Sequence, residues 1–136
     1  MEIETIKNFL NKKNTIGFVG ATIQKNKWGY KKYKELKKAG FRVFPINPKY
    51  NKIDSDTCYP SLKSLIEFLN KRPDLIVTII PPEITKKIVE QCRIYGIKKI
   101  WMQPGSESKE AIKFCDDNSI EVVHGICIVV DALQKL

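Results

Sequence analysis

Arginine, histidine and paired cysteines are scarce in this chain, and each scarcity excludes something. Only three of its 24 basic residues are arginine (Arg42, Arg72 and Arg93), and arginine is the usual bidentate reader of bases and phosphates. The lysines are spread along the whole chain, so the formal charge of +9 reads as a solvated surface. Such a surface brings a weak preference for polyanions, with steep salt dependence, and no specific nucleic-acid recognition is expected. The four cysteines, Cys58, Cys92, Cys115 and Cys127, stand far apart, with no Cys-x-x-Cys and no Cys/His cluster, which argues against structural zinc. They are expected as free thiols in a reducing compartment, with Cys92 and Cys115 packed on apolar helix faces. No apolar run approaches a membrane span. The acidic start, Met1-Glu2-Ile3-Glu4, lacks the basic region of a signal peptide. A soluble, cytoplasmic protein that does not enter a membrane is the expectation.

What is present is a core. At 136 residues and 43% hydrophobic, the chain fits one domain, 1–136. Ile3, Ile6, Phe9 and Leu10 at helical spacing predict an amphipathic helix over 2–13, packed on that domain. Residues 15–19, 41–46, 74–80, 99–103 and 120–124 read as strands; the first is a short, nearly continuous apolar run that suits burial on both faces, and 74–80 is the clearest central strand. Between them, helical patterns cover 27–39 (stripe Tyr30, Tyr33, Leu36), 61–70 (capped by Ser61), 83–95 (stripe Ile84, Ile88, Cys92) and 106–117 (capped by Ser106). Residues 47–60 read as a long polar connection, and 126–136 as a short closing helix. Strands that alternate with helices at this spacing predict an α/β fold. The expected architecture is a Rossmann-like doubly wound sheet, mainly parallel, of about five strands with helices on both faces.

Ligands of such sheets bind outside the carboxyl ends of the strands, so the residues after each strand matter most. The first strand runs into Gly20-Ala21-Thr22-Ile23-Gln24-Lys25. Gly20 permits a tight turn and close approach to a phosphate, and the following amides at a helix start favour an anion. The dinucleotide pattern is incomplete, because Gly17 and Gly20 are followed by no third glycine at the usual spacing, and a purely structural turn is the alternative. The second strand ends in Asn47-Pro48-Lys49, where a site for NAD usually places Asp or Glu against the ribose 2′-hydroxyl. The prolines stiffen this edge, and Lys49 suits a ligand with an extra phosphate near its ribose; a rigid turn with an exposed lysine is again the alternative. Pro81-Pro82 presents an apolar wall after the third strand. Gln103-Pro104-Gly105 follows the fourth, and His124-Gly125-Ile126-Cys127 the fifth. His124, the only histidine, has no paired carboxylate or serine nearby in sequence and reads as a packing or turn residue. Cys127 is the only thiol near the expected ligand edge, and a passive role is favoured for it.

Taken in order, Gly17–Thr22, Val43–Lys49, Tyr59-Pro60-Ser61-Leu62, Pro81-Pro82, Trp101–Gly105 and Gly125-Ile126-Cys127 resemble the small stand-alone CoA-binding proteins. Their domain is similar to the N-terminal domain of the succinyl-CoA synthetase alpha subunit. The resemblance covers about residues 14–130. It implies that Gly20, Ala21, Thr22, Asn47, Pro48 and Lys49 cradle the adenosine and phosphates of coenzyme A, with Lys25 of the same loop added to the set. It also implies that Pro81 and the Gln103–Gly105 turn line the pantetheine or diphosphate side. The fused relatives catalyse through a phosphohistidine on a further domain, so His124 inherits no such role. Many relatives follow the cysteine with proline, where this chain has Ile128.

Three function classes compete. The leading expectation is non-enzymatic binding of coenzyme A or an acyl-CoA, because no convincing nucleophile or acid–base set is visible. The alternative is an NAD(P)-binding or redox-sensing domain, with Lys49 tolerating NADP. A third is a thiol-active protein that works through Cys127. No metal site is expected. The protein partner is not named by the sequence, and a homo-oligomer is left open.

Overall fold

The computed structural model describes residues 1–136. In chain order the elements are α1 (Ile3–Phe9), β1 (Thr15–Val19), α2 (Trp28–Lys38), β2 (Arg42–Ile46), β3 (Lys52–Ile53), β4 (Asp56–Thr57), α3 (Leu62–Leu69), β5 (Leu75–Thr78), α4 (Pro82–Tyr95), β6 (Lys99–Met102), α5 (Lys109–Asp117) and β7 (Glu121–His124). A π-helical turn at Ile128–Ala132 and a 3-10 turn at Leu133–Lys135 close the chain.

The five strands read from the sequence form one sheet in the order β2-β1-β5-β6-β7, and every neighbouring pair is parallel. β1 and β5 lie inside the sheet and are buried along their whole length. Successive side chains point to opposite faces of a strand, so each strand feeds two cores. Ile16, Phe18, Leu75, Val77 and Trp101 pack with α1, α2 and the closing turns. Val19, Ile76, Ile100 and Met102 pack on the other face with α3, α4 and α5. This is the doubly wound arrangement expected, and its chain reverses direction of travel between β1 and β5. At that switch point the flanking helices depart to opposite faces and leave a crevice at the carboxyl ends of the strands. No helix is long and apolar enough to cross a membrane.

The structure corrects the sequence reading in several places. α1 is shorter than 2–13; it buries Ile6 and Phe9, with Leu10 buried just past its end, while Ile3 is exposed. The connection 47–60 contains an antiparallel hairpin, β3–β4, turned at Asp54 with φ +53° and anchored by the buried Ile53. Strands of two residues are too short for alternation to register. On α4 the buried stripe is Thr85, Ile88, Val89 and Cys92, with Ile84 outside. The cap of α5 is Ser108, whose hydroxyl accepts from Ala111 N at 3.1 Å. Ser106 is turned inward instead: its hydroxyl donates to the carbonyls of Thr78 (3.0 Å) or Gln103 (2.8 Å) and sits 3.0 Å from the Thr78 hydroxyl. It therefore ties the ends of β5 and β6 together. The closing segment is not a regular α-helix. The indole of Trp101 holds it, donating to Ile126 O at 3.1 Å.

Candidate ligand-binding cleft

The crevice at the switch point is built by two glycines. Gly20 leaves β1 with φ +103° and lies so near the end of β5 that a Cβ there would stand 2.2 Å from the Ile79 carbonyl oxygen. Gly29, in the first turn of α2, packs equally tightly, and a Cβ there would stand 2.3 Å from the Gly20 carbonyl oxygen. Strand end, loop and helix start are thereby pressed together, with Gly20 N donating to Ile46 O at 3.1 Å. Only glycine allows contacts this close.

A second set of bonds fixes the loop after β2 against the loop after β1. Asn47 Nδ2 donates to Ala21 O at 2.9 Å, and Asn47 Oδ1 accepts from Lys49 N at 2.9 Å. The Tyr50 and Thr22 hydroxyls are 3.0 Å apart. Hydrogen bonds from Thr22 first, and then Gln24, hold the Tyr50 phenol below its ordinary range.

Three cavities open along this edge and share walls. The first, about 320 Å³, is polar and includes Gly20, Thr22, Gln24, Asn47, Lys49 and Tyr50. The second, about 280 Å³, is mostly apolar and is lined by Trp28, Lys32, Ile79, Gln103, Pro104, Cys127 and Val130. The third, about 300 Å³, lies between Ile80-Pro81 and Pro104-Gly105-Ser106. Trp28 and Ile79 belong to both the polar and the apolar cavity, and Ile79 and Pro104 to both the apolar and the third. The result is one cleft with a polar, basic end and an apolar end, meeting at Ile79.

Of the residues singled out from sequence, Gly20, Thr22, Asn47 and Lys49 line the polar end, Gln103 the apolar end, and Pro81 and Gly105 the third cavity. Ala21 is fully buried behind the loop and contributes its carbonyl to Asn47. Lys25 and Pro48 are exposed and line none of the three; hydrogen bonds from Lys34 and Tyr30 hold the Asp54 carboxyl below its ordinary range, and Lys25 adds a smaller positive field there. His124 is exposed on the edge strand β7 and lines none of them. Gln103 is bonded at both ends of its amide: Oε1 accepts from Ile128 N at 2.8 Å, and Nε2 stands 3.4 Å from Cys127 Sγ. It thus orients the thiol that the sequence placed at this edge.

Trp28, Lys32, Ile79 and Val130 escaped the sequence reading. The first two carried a signal, since residues four apart share a helix face, and both lie on α2 directly behind the β1 loop. Their environment is completed by Val130, about a hundred residues further along the chain.

The comparisons with known proteins follow the same residues. The family model described as CoA binding domain matches residues 14–132. An ADP-forming acetate–CoA ligase I of Archaeoglobus fulgidus is 32% identical over 123 residues, covering 83% of this chain. The chain spans only 12–17% of the length of the curated ligases it matches. A conserved hypothetical protein from Pyrococcus furiosus superposes with a TM-score of 0.79 at 36% identity, over 87% of this chain and 98% of that one. A hypothetical protein from Pyrococcus horikoshii OT3 does so at 0.86 and 27%, over 98% and 92%. A family match that runs through every strand and loop of the cleft makes this chain a member of the CoA binding domain family.

Proposed function

We propose that the cleft binds coenzyme A or an acyl-CoA, and that the chain acts as a binding module without chemistry of its own. The observation that carries this reading is the union of a basic, polar cavity and an apolar cavity through Ile79 and Trp28. A nucleotide with several phosphates and a long, weakly polar arm needs both. In this reading the adenosine and phosphates rest against the Gly20–Thr22 amides, Asn47 and Lys49. The pantetheine arm crosses Ile79 beneath the exposed Trp28 indole. The sulfur ends near Cys127 and Gln103. The end of β2 offers an amide and a cation where a 2′-hydroxyl reader would need a carboxylate, which favours a ligand with a phosphate on its ribose. Four free cysteines suit a reducing compartment, and we place the protein in the cytoplasm.

The test is calorimetric titration of the purified protein with CoA and with NADP, together with mass spectrometry of any small molecule released on denaturation. CoA binding that Lys49→Ala weakens several-fold is the expected result. NADP binding with CoA silent would overturn it.

A further inference from the structure

Lys32 is unusual for a lysine. Its side chain is only 10% exposed, and it lines the apolar end of the cleft beside Trp28, Ile79, Pro104, Cys127 and Val130. Lysine is almost never this buried unless a partner compensates. The one carboxylate in reach is Glu35, one turn along the same helix, at 3.3 Å. That is long for a charge-assisted hydrogen bond, and Glu35 itself is 44% exposed. The indole of Trp28 lies 5.2 Å from the ammonium, an attraction that accepts no hydrogen bond along a defined axis. An ammonium has three donors, and these contacts leave donor capacity over. No carboxylate lines the cavity. Asp131, the residue after Val130, forms no ion pair with Lys32 and accepts from Cys127 N at 2.7 Å through Oδ2.

Resting on the CoA reading above, we infer that the apolar end of the cleft selects an acyl group that carries its own carboxylate, and that Lys32 is the residue that reads it. The cavity lies beyond Ile79 from the phosphate end, where the thioester would arrive, and Gln103 and Cys127 mark that place. Its walls are mostly apolar, so an ion pair formed there is less screened than one at the surface. At about 280 Å³ it sits at the small end of ligand cavities, which suits a short acyl chain. An uncharged acyl group of the same length would fill the space and leave the Lys32 donors unpaired.

The experiment compares succinyl-CoA, butyryl-CoA and free CoA on the wild-type protein and on Lys32→Met, which keeps most of the side-chain length and removes the charge. A hydrogen bond to a charged group predicts that the wild type binds succinyl-CoA roughly tenfold or more tightly than butyryl-CoA. Lys32→Met should abolish that difference, with succinyl-CoA losing more affinity than free CoA. Equal affinities of the wild type for the two thioesters overturn the inference while the CoA reading stands, and this comparison needs no variant to fold. Loss of free CoA affinity in Lys32→Met, equal to the loss for succinyl-CoA, would place Lys32 on CoA itself and also overturn it. If no CoA species binds the wild type, the underlying reading falls, and the inference with it.

Discussion

Alanine at Gly20 tests whether the cleft is as tightly built as its geometry says. The new Cβ would stand 2.2 Å from the Ile79 carbonyl oxygen and 2.9 Å from both the Ile79 carbonyl carbon and Ile80 Cγ2. Two of these three obstacles are backbone atoms of the residue just beyond β5, so they cannot turn aside as a side chain could. The backbone also sits at φ +103°, where a side chain costs about 2 kcal/mol. Overpacking against an unyielding neighbour costs about 2 kcal/mol more. Gly105 supplies the control, because its φ is +93° but a Cβ there meets nothing within 4 Å. It shares the strain and lacks the collision. With an unfolding entropy of about 2.1 cal/mol/K per residue, the Gly20→Ala penalty lowers Tm by about 14 °C and the Gly105→Ala penalty by about 7 °C. Neither exceeds the stability of an ordinary domain, so both variants should fold and can be melted by circular dichroism.

The same pair carries a binding readout. Gly20→Ala can only be accommodated by moving the β1 loop away from β5, which displaces the amides at the polar end of the cleft. Its CoA affinity should fall by about tenfold or more, whereas Gly105→Ala, at the rim of the third cavity, should lose much less. Equal melting losses would mean that the close approach of Gly20 to Ile79 is not a rigid feature. A strongly destabilised Gly20→Ala that binds CoA like the wild type would mean that the loop does not contact the ligand.

Three further outcomes follow from the bonding. Asn47→Ala removes the bonds to Ala21 O and Lys49 N and should cost about 1–2 kcal/mol, read as a Tm loss of about 3–7 °C with weakened CoA binding. Burial pushes the Cys92 and Cys115 thiols up to about 12, so in the native protein a thiol reagent should modify Cys127 long before either; because the folded state holds protons that the unfolded state releases above pH 9, stability should fall as pH rises from about 9 towards 12. Burial acts to raise the Asp56 carboxyl, but hydrogen bonds from Lys37 and Tyr33 outweigh it and hold it below its ordinary range; that contribution is present above about pH 4 and lost on acidification through the lowered value, so Asp56→Asn should flatten the acid limb of the Tm–pH curve.

The central strands were legible because they are buried on both faces. Leu75-Ile76-Val77-Thr78 cannot show polar alternation when both sides meet helices, and a short apolar run bounded by turn residues is what remains. The helix caps were legible only where one serine stood alone. Ser61 caps α3 as its position implied, but Ser106 and Ser108 are chemically equal candidates for α5. The choice falls to the buried Thr78–Ser106 contact across β5 and β6, which no local pattern reports. Ile3 and Ile84 show the same limit from the apolar side. Each fits a helical stripe, and each lies outward because the inward face is set by what the neighbouring elements offer.

The cleft divides along the same line. Its polar end comes from two adjacent loops, each next to its own strand, so strand ends and residue chemistry sufficed to find Gly20, Thr22, Asn47 and Lys49. Its apolar end adds to the strand-end residues Ile79, Gln103 and Pro104 two walls, α2 and the segment after β7, which meet only after the sheet is wound. Lys32 disappears in a chain with 24 basic residues, where a lysine on a helix is by default a solvated charge. What changes its meaning is its burial at a cavity wall it shares with Trp28, one turn before it, and Val130, from the far end of the chain. The overall charge therefore says little about the ligand. The position of one ammonium, withdrawn from solvent at the apolar end of a cleft whose other end is already basic, says considerably more. On the CoA reading proposed above, that ammonium is the feature that would let the cleft distinguish one acyl group from another.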